Sequence, residues 1–173
     1  MSLARLFVAV WPPPEVLDVI AALPRTERPG VRWTTRDQWH VTLRFLGPAD
    51  PSEAVEAVQR IEGACCEAAL GPRPGRLGRS ALVLPVTGLG PLAADVERAT
   101  EAIGRPPAGR EFRGHLTLAR LKGQAACRLT DMVVGARWTV AGVTLVESRL
   151  HPQGARYEVL EEVALQPAVR FEP

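Results

Sequence analysis

Short apolar runs closed by Gly and Pro alternate along this chain with stretches whose apolar residues recur every three to four positions. Residues 5–11 (RLFVAVW) are an apolar run halted by Pro12-Pro13-Pro14, the pattern of a buried strand. Val16, Val19, Ile20 and Leu23 follow at helical spacing behind a proline, which predicts a helix over 15–23. Residues 39–46 (WHVTLRFL) are rich in β-branched and aromatic side chains and stop at Gly47-Pro48, which predicts a second strand. Asp50 or Ser52 can cap a helix whose stripe of Ala54, Val55, Val58, Ile61 and Cys65 carries it to about Leu70. The Gly/Pro/Arg segment 71–80 allows an edge strand, and 81–86 reads as a strand interrupted by Pro85. A helix over 92–103, a strand over 112–121 and a short helix over 126–134 come next. Residues 138–150 and 156–165 then form a final hairpin turned at Pro152-Gln153-Gly154. This irregular alternation predicts an α+β or mixed-sheet protein. No linker divides it, so residues 1–173 read as one domain.

One pattern occurs twice. His40-Val41-Thr42-Leu43 is echoed, 75 residues later, by His115-Leu116-Thr117-Leu118. Side chains at i and i+2 of a strand share a face. His40 and Thr42 therefore face one way and Val41 and Leu43 the other, and the same holds for the second copy. A two-lobed, pseudo-twofold arrangement is the economical explanation, and it sets two imidazoles and two hydroxyls around one cleft. Two imidazoles suit acid–base chemistry: near neutral pH one can take a proton while the other gives one. The hydroxyls can donate to non-bridging phosphate oxygens. The constellation fits phosphodiester hydrolysis without a metal. A single His-x-Thr strand would be an ordinary half-buried strand; the repetition is what carries the signal.

Composition narrows the field. The 173 residues are 46% hydrophobic and 23% charged, with 15 Gly and 16 Pro, which excludes a disordered chain, a collagen and a disulfide scaffold. The three cysteines, Cys65, Cys66 and Cys127, make neither a disulfide framework nor a metal knuckle. No run is long enough for a membrane span, and the N-terminus lacks a signal-peptide h-region. These points predict a cytoplasmic protein. The net charge is +2, yet all basic residues but Lys122 are arginine. Codon bias accounts for most of that excess, so an arginine is informative only by its position.

These residues carry a resemblance. The opening RLFVAVWPP, then WHVTLRFLG, GHLTLAR and SRLHPQGARYEVL, in this order, are similar to the bacterial and archaeal RNA 2',3'-cyclic phosphodiesterases. That group is also called the 2'-5' RNA ligase family and lies within the two-histidine phosphoesterase superfamily. The resemblance implies a bilobal α+β fold with two antiparallel sheets flanking a central cleft and helices outside. It implies metal-independent hydrolysis of a terminal RNA 2',3'-cyclic phosphate to a 2'-phosphate, with no cofactor. His40 would be the proton donor to the leaving 3'-oxygen, His115 the proton acceptor from water, and Thr42 and Thr117 the phosphate holders. The partners implied are RNA or oligonucleotide ends, tRNA fragments among them, acted on by a monomer. Gly114 stands where the family often has Pro, which would loosen the approach to His115.

Other positions are candidates for substrate binding. Counting by twos from His115 turns Arg120 away from the cleft unless a bulge redirects it; the resemblance sets it near the phosphate. Arg44, at i+4 from His40, shares the His40 face by the same count. Phe7, Trp33, Phe45 and Tyr157 could stack on a base, with core packing as the alternative for Phe7 and Phe45. Arg73, Arg76 and Arg79 lie in a loop that is no P-loop but whose charge could steer RNA. His151 reads as a surface residue. Three other activities share these residues: 2'-5' RNA ligation by the reverse reaction, non-catalytic binding of RNA or nucleotides, and a metal site of His40, His115 and His151.

Overall fold

The structure, a computed structural model, describes residues 2–123, 125 and 128–168. Among these residues there are ten strands and three α-helices. In chain order they are β1 (Ala4–Val10), α1 (Pro14–Ala21), β2 (Val31–Trp33), β3 (Val41–Ala49), α2 (Pro51–Val58), β4 (Cys66–Leu70) and β5 (Gly75–Leu77). Then follow β6 (Ala81–Thr87), α3 (Gly90–Ala99), β7 (His115–Leu121), β8 (Ala136–Val140), β9 (Gly142–Arg149) and β10 (Arg156–Ala164).

The main sheet path runs β10-β9-β1-β3-β7-β6-β4-β8, with every ladder antiparallel. It consists of two four-stranded halves in mirrored order. β3 and β7 meet at the centre, where the single registered pair is Val41↔Leu116. These two residues are themselves 75 apart, so the pseudo-twofold passes through the pair. The two expected sheets are thus two halves of one continuous, curled network, and the chain is α+β. β2 pairs with the far part of β7, and β5 pairs with β6 at an edge.

The helices pack on the outer face. α3 lies against β3, α2 against β9 and β10, and α1 approaches β8. Between helices and sheet lies the main core, where Val41, Leu43, Leu116 and Leu118 meet Val16, Ile20, Val58 and Val96. The apolar face of each His-x-Thr strand is buried, which leaves the other face for the cleft. α2 starts as its sequence dictates: Pro51 takes the first helical position and the Asp50 carboxylate accepts from the amides of Ser52 and Glu53 at 2.9 and 3.1 Å. Such a cap contributes about 1 kcal/mol.

Two expectations need correction. The helix over 50–70 ends at Val58, and its C-terminal part, with Cys66, is strand β4. A Cβ at Gly63 would sit 2.8 Å from Leu92 Cδ1, and the Cys65 amide donates to the Gln166 carbonyl, so the chain leaves the helix to pair with β8 and β6. The apolar run 138–150 divides at Ala141 into β8 and β9, which belong to opposite halves. Cys127 and the first residues of the predicted 126–134 helix lie outside the described residues; Arg128–Asp131 forms a 3-10 turn. Among the described residues no helix is long and apolar enough to cross a membrane.

Candidate active site

The polar faces of β3 and β7 line one open cavity of about 220 Å³. His40, Thr42, His115 and Thr117 all line it, joined by Arg5, Arg32, Arg120, Trp33, Phe45 and Tyr157. Because Val41 and Leu116 pair in antiparallel sense, His40 lies toward Thr117 and His115 toward Thr42.

Both imidazoles are held in the same way. His40 Nδ1–H donates to the Gln38 carbonyl at 2.7 Å, and His115 Nδ1–H donates to the Arg113 carbonyl at 3.0 Å. A carbonyl can only accept, so each bond places a proton on Nδ1, and in the neutral form of either ring the lone pair lies on Nε2. His40 Nε2 lies 3.2 Å from the Thr42 hydroxyl.

The surroundings break the symmetry. The His40 ring is packed by Phe7 at 4.9 Å, Trp11 at 5.2 Å and Tyr157 at 5.0 Å between ring centroids. Burial lowers its pKa from 6.5 to about 4; the Gln38 bond opposes the shift, and Arg120 and His115 add to it. A desolvated imidazole resists the charged form. In the free protein at neutral pH, His40 is therefore neutral. Trp11 is itself oriented by a 2.7 Å bond from Nε1–H to the Thr144 hydroxyl. Burial raises the Tyr157 phenol, against the pull of Arg120, Arg5 and Arg32.

Strand bulges decide which further side chains enter. In β3, Ala9 pairs with Thr42 and Val8 with Arg44, so Leu43 is the extra residue. In β7, Val83 pairs with Thr117 and Leu82 with Ala119, so Leu118 is the extra residue. Each bulge reverses the in–out parity beyond it. Arg120 is thereby turned into the cleft, together with Phe45.

Arg44 is turned out of the cleft by the same device. The expectation that it shares the His40 face is overturned, since simple counting ignores the bulge. Its side chain is 7% exposed and points into the β3–α3 layer. There it donates to the carbonyls of Glu97, Ile103 and Arg105 and to the Thr100 hydroxyl. It caps the C-terminal end of α3 and touches no part of the cavity.

The aromatic candidates divide. Phe7 is 4% exposed and packed by His40 and Tyr157, so it walls the site and offers no free face. Trp33, its Nε1–H bonded to the Thr26 carbonyl, and Phe45, 37% exposed, present open surface. Arg73 and Arg76 are not in the cavity lining; they donate to the carbonyls of Asp131 and Ala125 and hold their own loop. His151 is also outside it. Among the described residues no cluster of His, Cys, Asp and Glu is placed to hold a metal ion.

Gly114 does not loosen the approach to His115. A Cβ there would lie 2.3 Å from the Val86 carbonyl, and the Gly114 carbonyl accepts from the Val86 amide at 2.9 Å. Glycine lets the entry to β7 lie directly on β6.

Several lining residues carry no signal in the sequence. Thr34 sends its hydroxyl to the Thr117 and Leu118 carbonyls at 2.7 and 2.8 Å and accepts from the buried Trp39 Nε1–H at 3.0 Å. It braces the β7 bulge. Gln38 holds His40 through its carbonyl and reaches the Ala155 carbonyl with its side chain, which ties the loop before Tyr157 to the same wall. Arg5 and Arg32 look like any other arginine of this chain.

Two histidines and two threonines meet across one groove, presented by paired strands of a fold that this chain shares with the two-histidine phosphoesterases. A model of the LigT-like phosphoesterase family matches residues 10–70 and 85–157, and the chain belongs to that family. An RNA 2',3'-cyclic phosphodiesterase of Thermus thermophilus is 32% identical to it, over 94% of this chain and 90% of the relative. One of Aeropyrum pernix is 33% identical over 73% and 82%. Crystal structures of E. coli LigT share the fold: the apo form with a TM-score of 0.74 at 25% identity, covering 96% of this chain and 99% of that one. The complex with 3'-AMP has a TM-score of 0.75 at 26% identity, covering 94% and 98%.

Proposed function

We propose that this protein hydrolyses the 2',3'-cyclic phosphate at RNA ends by proton transfer between His40 and His115. The observation that carries the reading is the meeting of both His-x-Thr pairs in one cationic cavity. The names of the Thermus and Aeropyrum relatives, and the 3'-AMP complex of E. coli LigT, supply the substrate class.

In this reading the cyclic phosphate sits between the two strands. The hydroxyls of Thr42 and Thr117 donate to its non-bridging oxygens, and Arg120 adds charge where the transition state gathers it. His115 Nε2 takes a proton from the attacking water. His40 Nε2 gives one to the leaving 3'-oxygen, and a 2'-phosphate remains. His40 is neutral in the free protein, so its proton arrives with the anionic substrate, whose charge favours the imidazolium. A second reading exchanges the two roles, and it is favoured by that lowered His40 pKa and by a Nε2 lone pair that already accepts from the Thr42 hydroxyl. The protein acts as a monomer in the cytoplasm on RNA ends, tRNA fragments among them; free, half-buried Cys65 and Cys66 suit a reducing compartment.

The test is turnover of a 2',3'-cyclic nucleotide in EDTA, with product identification. Hydrolysis that EDTA leaves unchanged, and that His40→Ala and His115→Ala each lower by about a hundredfold or more, is the expected result. Absence of turnover, or turnover that stays within about tenfold of wild type after either substitution, overturns the reading.

A further inference from the structure

Beyond the reacting centre, the β1/β3 end of the cleft carries an arrangement that acid–base chemistry does not use. Phe45, turned inward by the Leu43 bulge, has two guanidinium groups against its ring. Arg5 lies 4.8 Å and Arg105 5.7 Å from the ring centroid. Both arginines are exposed, and among the described residues neither makes a salt bridge to a carboxylate.

The fold invests in placing Arg105. Its amide donates to the Leu46 carbonyl at 2.8 Å, and its carbonyl accepts from the buried Arg44 at 2.9 Å. Gly104, at φ +63, lets the turn press onto β3, since a Cβ there would lie 2.2 Å from the Leu46 carbonyl. Gly47, at φ +71, gives the side chain room: a Cβ there would stand 3.0–3.1 Å from Arg105 Cγ, Cδ and Nε. Four features on two segments converge on one guanidinium. Arg105 therefore lies along β3 toward Phe45.

Guanidinium groups resting on a ring keep their N–H edges free and have lost much of their rotational freedom. Two of them without carboxylate partners, at the rim of a phosphate site, make a second anion-binding place. A nucleoside 2',3'-cyclic phosphate has one phosphate, which the His/Thr centre takes. An RNA chain ending in that group has another, the phosphodiester on its 5' side.

We propose that Arg5 and Arg105, mounted on Phe45, form a subsite for the last internal phosphodiester of an RNA substrate, so that the protein prefers oligoribonucleotides to free cyclic nucleotides. The subsite rests on the hydrolytic reading for its place next to the reacting end, but its affinity for RNA can be measured without turnover.

The experiment compares wild type, R105A, R105K and the control R137A, whose arginine sits on the edge strand β8 far along the sheet path from β3. Two substrates are used: 2',3'-cyclic AMP, and a short oligoadenylate with a 2',3'-cyclic end. The ratio of kcat/KM for oligonucleotide over mononucleotide should fall about tenfold in R105A, through KM, with partial recovery in R105K and no change in R137A. Binding of a fluorescent oligoadenylate that lacks the cyclic group should weaken in R105A. Its salt slope should shrink by about 0.7, the share of one single-strand phosphate contact. A ratio unchanged in R105A, or lowered equally in R137A, overturns the subsite. If neither substrate turns over, the hydrolytic reading falls, and the binding arm alone decides: equal affinity and equal salt slope in wild type and R105A reject the subsite.

Discussion

Leu43 and Leu118 occupy the same place in the two His-x-Thr segments, and each is the residue at which its strand slips by one against its neighbour. Both side chains stay in the core, 6% and 3% exposed. The slip sends position 44 or 119 outward and position 45 or 120 into the cleft. One bulge, used twice, gives the cleft Phe45 on one side and Arg120 on the other.

Arg44 and Arg120, alike in the sequence, should therefore fail in different ways. Arg120→Ala should lower kcat/KM for a cyclic nucleotide about a hundredfold or more, as loss of a charge-stabilising donor does, with little change in melting temperature. Arg44→Met leaves three carbonyls and the Thr100 hydroxyl without their donor. Destabilisation of about 3 kcal/mol is expected, a fall in melting temperature of roughly 6–12 °C. Thermal unfolding and steady-state kinetics on both variants check this. A stable Arg44→Met protein with impaired catalysis would return Arg44 to the site.

Thr34 braces the second bulge from β2's C-terminal flank, and its hydroxyl is replaceable by a methyl of similar size. Thr34→Val removes the bond to the Thr117 and Leu118 carbonyls and also leaves the Trp39 indole N–H unpaired. A stability loss of about 1–3 kcal/mol follows from the buried donor. The bulge also sets the direction of Arg120, so kcat should fall more than tenfold in protein that is still folded at the assay temperature. Full kcat in such protein would show that the bulge holds without the hydroxyl.

The repeated motif was readable because strand alternation is local: His40 and Thr42, two residues apart, share a face whatever the rest of the chain does. The residues beyond the motif were not, because a bulge is a property of two strands. Nothing in the run Thr42-Leu43-Arg44-Phe45 states that Ala9 and Val8 pair across Leu43. The long helix drawn through Cys65 failed for a related reason. Ala54, Val55, Val58, Ile61 and Cys65 keep helical period, but pairing with β8 and β6 takes the chain from Cys66 onward. Arg5 and Arg32 were invisible because in a chain this rich in arginine their location depends on register and on β2, three residues long.

The lowered His40 pKa makes the folded state sensitive to acid. The unfolded imidazole titrates near 6.5 and the folded one near 4. Above pH 6.5 both states are neutral and folding carries no penalty from this group. As pH falls from 6.5 to 4, the unfolded chain gains a proton that the native state refuses, and stability drops by about 3 kcal/mol in total. Urea unfolding of wild type and His40→Gln at pH 7.5, 6, 5 and 4 isolates this contribution, since titrating carboxylates act on both proteins. Wild type should lose about 3 kcal/mol relative to the variant across the range. A difference that stays constant with pH would mean that the ring is hydrated enough to charge freely.

The two assignments of acid and base share one pH–rate profile, because each needs one histidine protonated and one neutral. They part on the leaving group. A sugar oxygen must be protonated as it departs, whereas a nitrophenolate departs without help. On a nitrophenyl phosphodiester, the variant lacking the general acid should recover most of the wild-type rate, while the variant lacking the general base stays impaired. With His40 as the donor, His40→Ala should fall about 10²–10⁴-fold on a cyclic nucleotide and less than tenfold on the aryl ester, and His115→Ala should fall comparably on both. The opposite pattern would assign the base to the desolvated His40, whose Nε2 already accepts a hydrogen bond from Thr42, and the acid to His115.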